Sequence, residues 1–154
     1  MLGRSFARPV IRAWSSCNGL LLARRIMLLI REKPTIPAGQ ISRITSKYDH
    51  VVLAGASLSP MTNKLSDQGK TFRDHLQVAI DLHHIKRVVI MDHRDCGAYR
   101  TIHGEDFALD PANETQIHTK YLAKLSAKVV ALYPDLAVET LLMNLDGTVE
   151  VTSA

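Results

Sequence analysis

At 154 residues and 46% apolar composition, the chain is long enough for one domain with its own core. No apolar run reaches the ~20 residues that span a membrane. Two cysteines, Cys17 and Cys96, make no disulfide framework, so a reducing, cytoplasmic compartment is the natural setting. The net charge of +4 is unevenly placed: residues 1–47 carry nine Lys/Arg against the single acid Glu32, net +8, whereas residues 48–154 carry ten against fourteen, net −4. With the first 47 residues set aside no basic stripe remains, which argues against a nucleic-acid-binding body.

Residues 1–47 read as a basic N-terminal extension, a leader or a disordered segment. Residues 1–31 hold six arginines and no acid, with apolar clusters at Leu20-Leu21-Leu22 and Ile26-Met27-Leu28-Leu29-Ile30. That composition suits a mitochondrial transit peptide, and equally a poorly specified extension with no address at all. Arg24 and Arg25 interrupt the apolar region and count against a secretory signal. Residues 34–47, with Pro34, Pro37 and Gly39, read as a linker.

From Tyr48 the pattern becomes regular, and residues 48–154 read as an α/β domain. A buried strand over His50 to Ala54 enters the turn Gly55-Ala56-Ser57. Residues 59–70 are polar and read as loop. The helical period of Phe72, Leu76, Ala79, Ile80 and His83 predicts a helix over 71–85. A strand follows at 88–92, then a short helix at 97–103 and an acidic loop at 104–111. Ile117, Tyr121, Leu125, Val129 and Leu132 predict a helix over 112–133, stopped by Pro134. Val138 to Leu145 reads as a strand that turns through Asp146-Gly147 into the returning strand 148–151. Alternating strands and helices imply a mainly parallel sheet flanked by helices, closed by a C-terminal antiparallel hairpin.

The chemistry concentrates at the end of the second predicted strand, in Val88-Val89-Ile90-Met91-Asp92-His93-Arg94-Asp95-Cys96-Gly97. His93 and Cys96 lie three residues apart, within reach of one ion from one loop, and imidazole nitrogen with thiolate sulfur is a donor set that suits Zn²⁺. A thiolate at a helix start also gains from the exposed N–H groups there. In parallel sheets ligands bind beyond the carboxyl ends of strands. Both this turn and Gly55-Ala56-Ser57 lie at such ends.

His93-Arg94-Asp95-Cys96-Gly97, the helix and strand before it, the Leu53-Ala54-Gly55-Ala56 turn and the Leu145-Asp146-Gly147-Thr148-Val149 hairpin together resemble the beta-class carbonic anhydrases. The resemblance covers roughly residues 48–154. It implies a zinc lyase that hydrates CO₂ to bicarbonate, acts on no nucleic acid or membrane, and assembles as a homo-oligomer. In that family two cysteines and one histidine hold the zinc, so His93 and Cys96 match two ligands. The family's Cys-x-Asp-x-Arg element, which carries the other cysteine and an orienting Asp–Arg pair, has no counterpart here. The resemblance therefore implies an impaired enzyme and supplies no catalytic residue. The alternative it leaves is a non-catalytic member acting as a binding or assembly module.

The remaining polar residues have plainer readings. Cys17, followed by Asn18-Gly19, reads as unrelated to the metal more readily than as a third ligand. Asp95 reads as a turn residue accepting backbone N–H bonds. Asp92 reads as a strand-end residue, with a partnership to a ligand as the alternative. His83, His84, His103 and His118 receive no ligand role.

Overall fold

The computed structural model describes the backbone of residues 26–30 and the chain from 48 to 152. In chain order the elements are β1 (Ile26–Ile30), β2 (Tyr48–Val51), α1 (Ser66–His83), β3 (Arg87–His93), α2 (Gly97–His103), α3 (Pro111–Leu132), β4 (Ala137–Met143) and β5 (Val149–Val151). Short 3-10 turns occupy Ser59–Met61, Asn63–Leu65 and Phe107–Leu109.

The strands form one mixed sheet in the order β2-β1-β3-β4-β5. This corrects the expected mainly parallel sheet. Only β3 and β4 pair in parallel, from Arg87↔Ala137 to His93↔Met143. β1 runs antiparallel to both β2 and β3, and β5 antiparallel to β4. The reason is an extra strand of opposite direction. β2, β3 and β4 all point the same way, as strand–helix–strand connections demand, but β1 enters between β2 and β3 reversed. The sheet thus takes a strand from the segment read as an N-terminal extension, so position 47 does not bound it. The rest of residues 1–47, with the transit-peptide and linker readings, lies outside the described residues.

Three helices were expected and are found, with shifted ends. α1 begins at Ser66, inside the segment read as loop, and stops when His84 turns left-handed (φ 51°), its N–H bonding back to Ile80. α3 starts at Pro111, where a missing N–H costs nothing in the first turn, with the Asp110 side chain accepting the Asn113 N–H at 3.0 Å. The hairpin forms as read: Gly147 has φ +83° and its N–H bonds Asn144 O at 3.0 Å.

The main core lies between one sheet face and α1 plus α3. Val51, Val88 and Ile90 meet Phe72, Leu76 and Ala79 of α1 and Leu122, Leu125 and Val129 of α3. Each fully buried side chain of this size contributes roughly 1.5–3 kcal/mol. Val89, Met91, Leu141 and Val149 cluster on the other face, so β3 is buried on both sides, which explains its unbroken apolar run. A third cluster of Leu58, Cys96, Tyr99 and Phe107 fills the carboxyl end of the sheet. Among the described residues, no helix is long and apolar enough to cross a membrane.

Candidate metal centre

β3 delivers His93 as its last residue, and the ladder extends one step further through Arg94 N–H to Met143 O at 2.9 Å. Asp95 then takes a left-handed conformation (φ 54°), reversing the chain so that Cys96 starts α2, with Arg100 N–H bonding Cys96 O at 3.1 Å. Both expected ligands are buried, Cys96 at 1% exposure and His93 at 9%. His93 Nδ1 lies 2.8 Å from Arg94 O. A carbonyl can only accept, so Nδ1 carries a proton, and in the neutral form of the ring Nε2 is then the basic nitrogen. Histidines that ligate metals commonly have their other nitrogen fixed in this way.

Behind the turn sits a polar network that sequence reasoning missed. Asp92, 2% exposed, points into the domain. Its Oδ1 accepts the Ser57 N–H at 2.9 Å. Its Oδ2 accepts from Ser57 Oγ at 2.6 Å, Tyr99 OH at 2.7 Å and His118 Nδ1 at 3.0 Å. Ser57 and Tyr99 each have one hydroxyl proton, so their mutual 2.9 Å contact is a by-product of converging on the same oxygen. Burial, then the Asp92 charge, pushes the Tyr99 phenol far above its ordinary value, which keeps it a donor. The His118 ring packs against Tyr99 in a tilted arrangement, with centroids 3.9 Å apart and 43° between the ring planes. The Ser57 contacts place the 55–57 turn beside the end of β3, as expected from the sheet-end argument.

α3 reaches the same turn from the other side. Glu114, 4% exposed, accepts the Asp95 N–H through Oε1 at 2.5 Å, and its Oε2 lies 3.5 Å from Arg94 Nη1. Arg94 is further held by Asn144 Oδ1 at 2.6 Å and Thr115 Oγ1 at 2.8 Å. This corrects the reading of Asp95: its backbone donates to Glu114, and its carboxylate pairs with Arg100 rather than capping the turn. Asp92 is likewise the hub of a buried network, not a simple strand-end residue. The signal for the missed pair was present in the spacing. Glu114 and His118 are four apart and lie on the face of α3 that carries Leu122 and Leu125. A Glu and a His on an apolar helix face are buried only with partners.

The donor chemistry of His93 and Cys96 fits zinc, and the fixed tautomer of His93 adds to that fit. Among the described residues no three His, Cys, Asp or Glu side chains group as metal donors. Cys17, the other cysteine, lies outside the described residues.

No protein-family model matches the chain, and no solved structure matches it. An uncharacterized protein of Rickettsia bellii (strain RML369-C) is 40% identical over 103 residues, which are 67% of this chain and 63% of the relative. An uncharacterized protein of Rickettsia conorii (strain Malish 7) is 38% identical over 107 residues, 70% of this chain and 58% of the relative. The chain therefore spans less than two thirds of the length of these curated relatives.

Proposed function

We propose that the chain is a divergent zinc protein of the beta-class carbonic-anhydrase type, with His93 and Cys96 as metal ligands and CO₂ hydration, at a much reduced rate, as its reaction. One observation carries this reading. The two residues are buried in a single turn at the carboxyl end of β3, and the Arg94 carbonyl presets His93 for ligation through Nε2. The common direction of β2, β3 and β4 around that sheet end, with the Ser57 turn beside it, is in keeping with the same fold type.

Zinc, when bound, would supply hydroxide at neutral pH by lowering the pKa of its water to ~7. His93 and Cys96 would hold the ion, and Arg94 would keep the imidazole in its ligating tautomer. A third protein donor is to be sought in Cys17 or in a partner copy of the chain. Nothing in the sequence corresponds to the family's Asp–Arg pair, and losing an oriented hydrogen-bonding group commonly costs ~10²–10³ in rate. The substrate would be a small neutral carbon electrophile, CO₂ first.

Two measurements test the reading together: metal content after dialysis against zinc, and stopped-flow CO₂ hydration by the wild type, His93→Ala and Cys96→Ser. The expected result is weak, substoichiometric zinc and slow hydration, both lost in the two variants. Equal background rates and equal metal content in all three proteins would overturn it and leave a carbonic-anhydrase-like binding or assembly module. A full equivalent of tightly held zinc would mean that the third donor is present.

A further inference from the structure

The turn that carries His93 and Cys96 contains a backbone conformation that an L residue rarely adopts on its own, Asp95 at φ 54°. Such a residue persists only where its surroundings hold it. Its N–H points at a buried carboxylate, Glu114 Oε1, at 2.5 Å, and the neighbouring Arg94 guanidinium lies 3.5 Å from the other oxygen of the same group. One helical turn further along α3, His118 is fully buried and bonds Asp92 Oδ2, on the residue directly before His93. His118 Nε2 has no hydrogen bond among the described residues and lies 3.9 Å from Glu114 Oε1. A burial this complete of an acid and a histidine on one helix face is unfavourable for stability alone, where Leu or Met would serve.

We propose that Glu114 and His118 are positioning residues that set the His93–Cys96 turn in its ligating shape. Glu114 grips the turn at Asp95, and His118 fixes the carboxylate of Asp92 beneath it. Between them they clamp both sides of His93. Tyr99 extends the clamp to α2, because its hydroxyl shares Asp92 Oδ2 with His118 and it sits three residues after Cys96. Neither residue touches the metal; each acts through the backbone that carries a ligand. The inference rests on the metal reading for its purpose but not for its geometry.

The experiment uses the full chain and five proteins: wild type, Glu114→Met, Glu114→Gln, His118→Phe and His118→Asn. Met and Phe keep the volume and remove the polar grip, whereas Gln keeps an acceptor for Asp95 N–H and Asn keeps a donor for Asp92. Titration with Co²⁺, read by the thiolate-to-cobalt absorption band, and competition with Zn²⁺ give metal affinity. Affinity should fall roughly 10–100-fold in Glu114→Met and His118→Phe and recover to within a few-fold in Glu114→Gln and His118→Asn. Full affinity in folded Glu114→Met and His118→Phe would overturn the proposal while leaving the metal reading standing.

Metal-free NMR decides the same question without any ion. The Asp95 amide should be strongly protected from exchange, and His93 should show one tautomer, protonated at Nδ1, in the wild type and Glu114→Gln but a mixture in Glu114→Met. An unprotected Asp95 amide in the wild type would overturn the proposal even if the Met and Phe variants did not fold. Wild-type protein that takes up neither metal yet shows the protected amide and single tautomer would reject the metal reading alone.

Discussion

Asp92 collects four donors on two oxygens in a place with almost no access to water. An acceptor of this kind has no adequate substitute. In Asp92→Asn one end of the side chain becomes a donor facing other donors, and at least one buried hydroxyl or imidazole loses its partner. The expected cost is about 2–4 kcal/mol, readable as a lowered urea midpoint with an unchanged slope. His103 provides a second residue-level test. Its ring packs between Tyr99 and Tyr121, at centroid distances of 5.9 and 5.6 Å. Burial foremost holds its pKa below the ordinary 6.5. The unfolded chain therefore binds that proton more readily than the folded one. The contribution is full above about pH 6.5 and is lost as pH falls through the lowered folded value. His103→Phe should flatten that part of the acid limb in a series of urea melts from pH 7.5 to pH 5; a limb of unchanged steepness would show that the acid sensitivity has another source.

At the scale of elements, two glycines separate backbone strain from close approach. Gly55 (φ +73°) ends the β2 turn where a Cβ would lie 3.1 Å from Leu58 Cβ and 3.3 Å from Ala98 Cβ of α2. Gly147 (φ +83°) has a similar backbone with nothing within 4 Å of its added Cβ. Gly147→Ala should thus cost only the left-handed term, about 1–2 kcal/mol. Gly55→Ala should cost that plus overpacking, about 2–4 kcal/mol in all, and should loosen α2 against the 55–57 turn. Thermal melts of both variants make the comparison, and equal losses would mean that α2 can give way. Within α3, Leu125 is fully buried against α1 and the sheet. Leu125→Ala should cost about 2–5 kcal/mol by cavity formation, a sizeable part of the 5–15 kcal/mol typical of a whole domain.

For the whole molecule, the decisive element is β1. It pairs with β2 from Met27↔Val51 to Ile30↔Tyr48 and with β3 from Ile26↔Met91 to Ile30↔Arg87. Without it β2 has no neighbour in the sheet, and the side of β3 that faces it becomes an open edge. A chain that begins at Tyr48 should therefore lose cooperative thermal unfolding or associate through that edge, as read by calorimetry and size-exclusion chromatography. A monomer with an unchanged melting temperature would show that residues 48–154 suffice by themselves. In the intact chain, limited proteolysis should spare the 26–30 segment.

The sequence by itself determined what local chemistry can encode. Phe72, Leu76 and Ala79 announced α1 because burial at helical spacing leaves a periodic trace, and Asp146-Gly147 announced the hairpin because few residues accept that turn. His93 and Cys96 were visible as a pair because both ligands sit in one short loop. The tertiary structure decided everything that depends on a partner distant in the chain. Ile26–Ile30 carries no mark of direction, since an apolar run pairs as readily antiparallel as parallel, and only its neighbours β2 and β3 set it. Glu114, His118, Ser57 and Tyr99 looked like ordinary polar positions until the fold brought them to Asp92 and Asp95 across separations of 7 to 35 residues. A buried polar group is stable only with its partners in place, and partners that far apart meet only when the sheet and helices α1 to α3 have assembled.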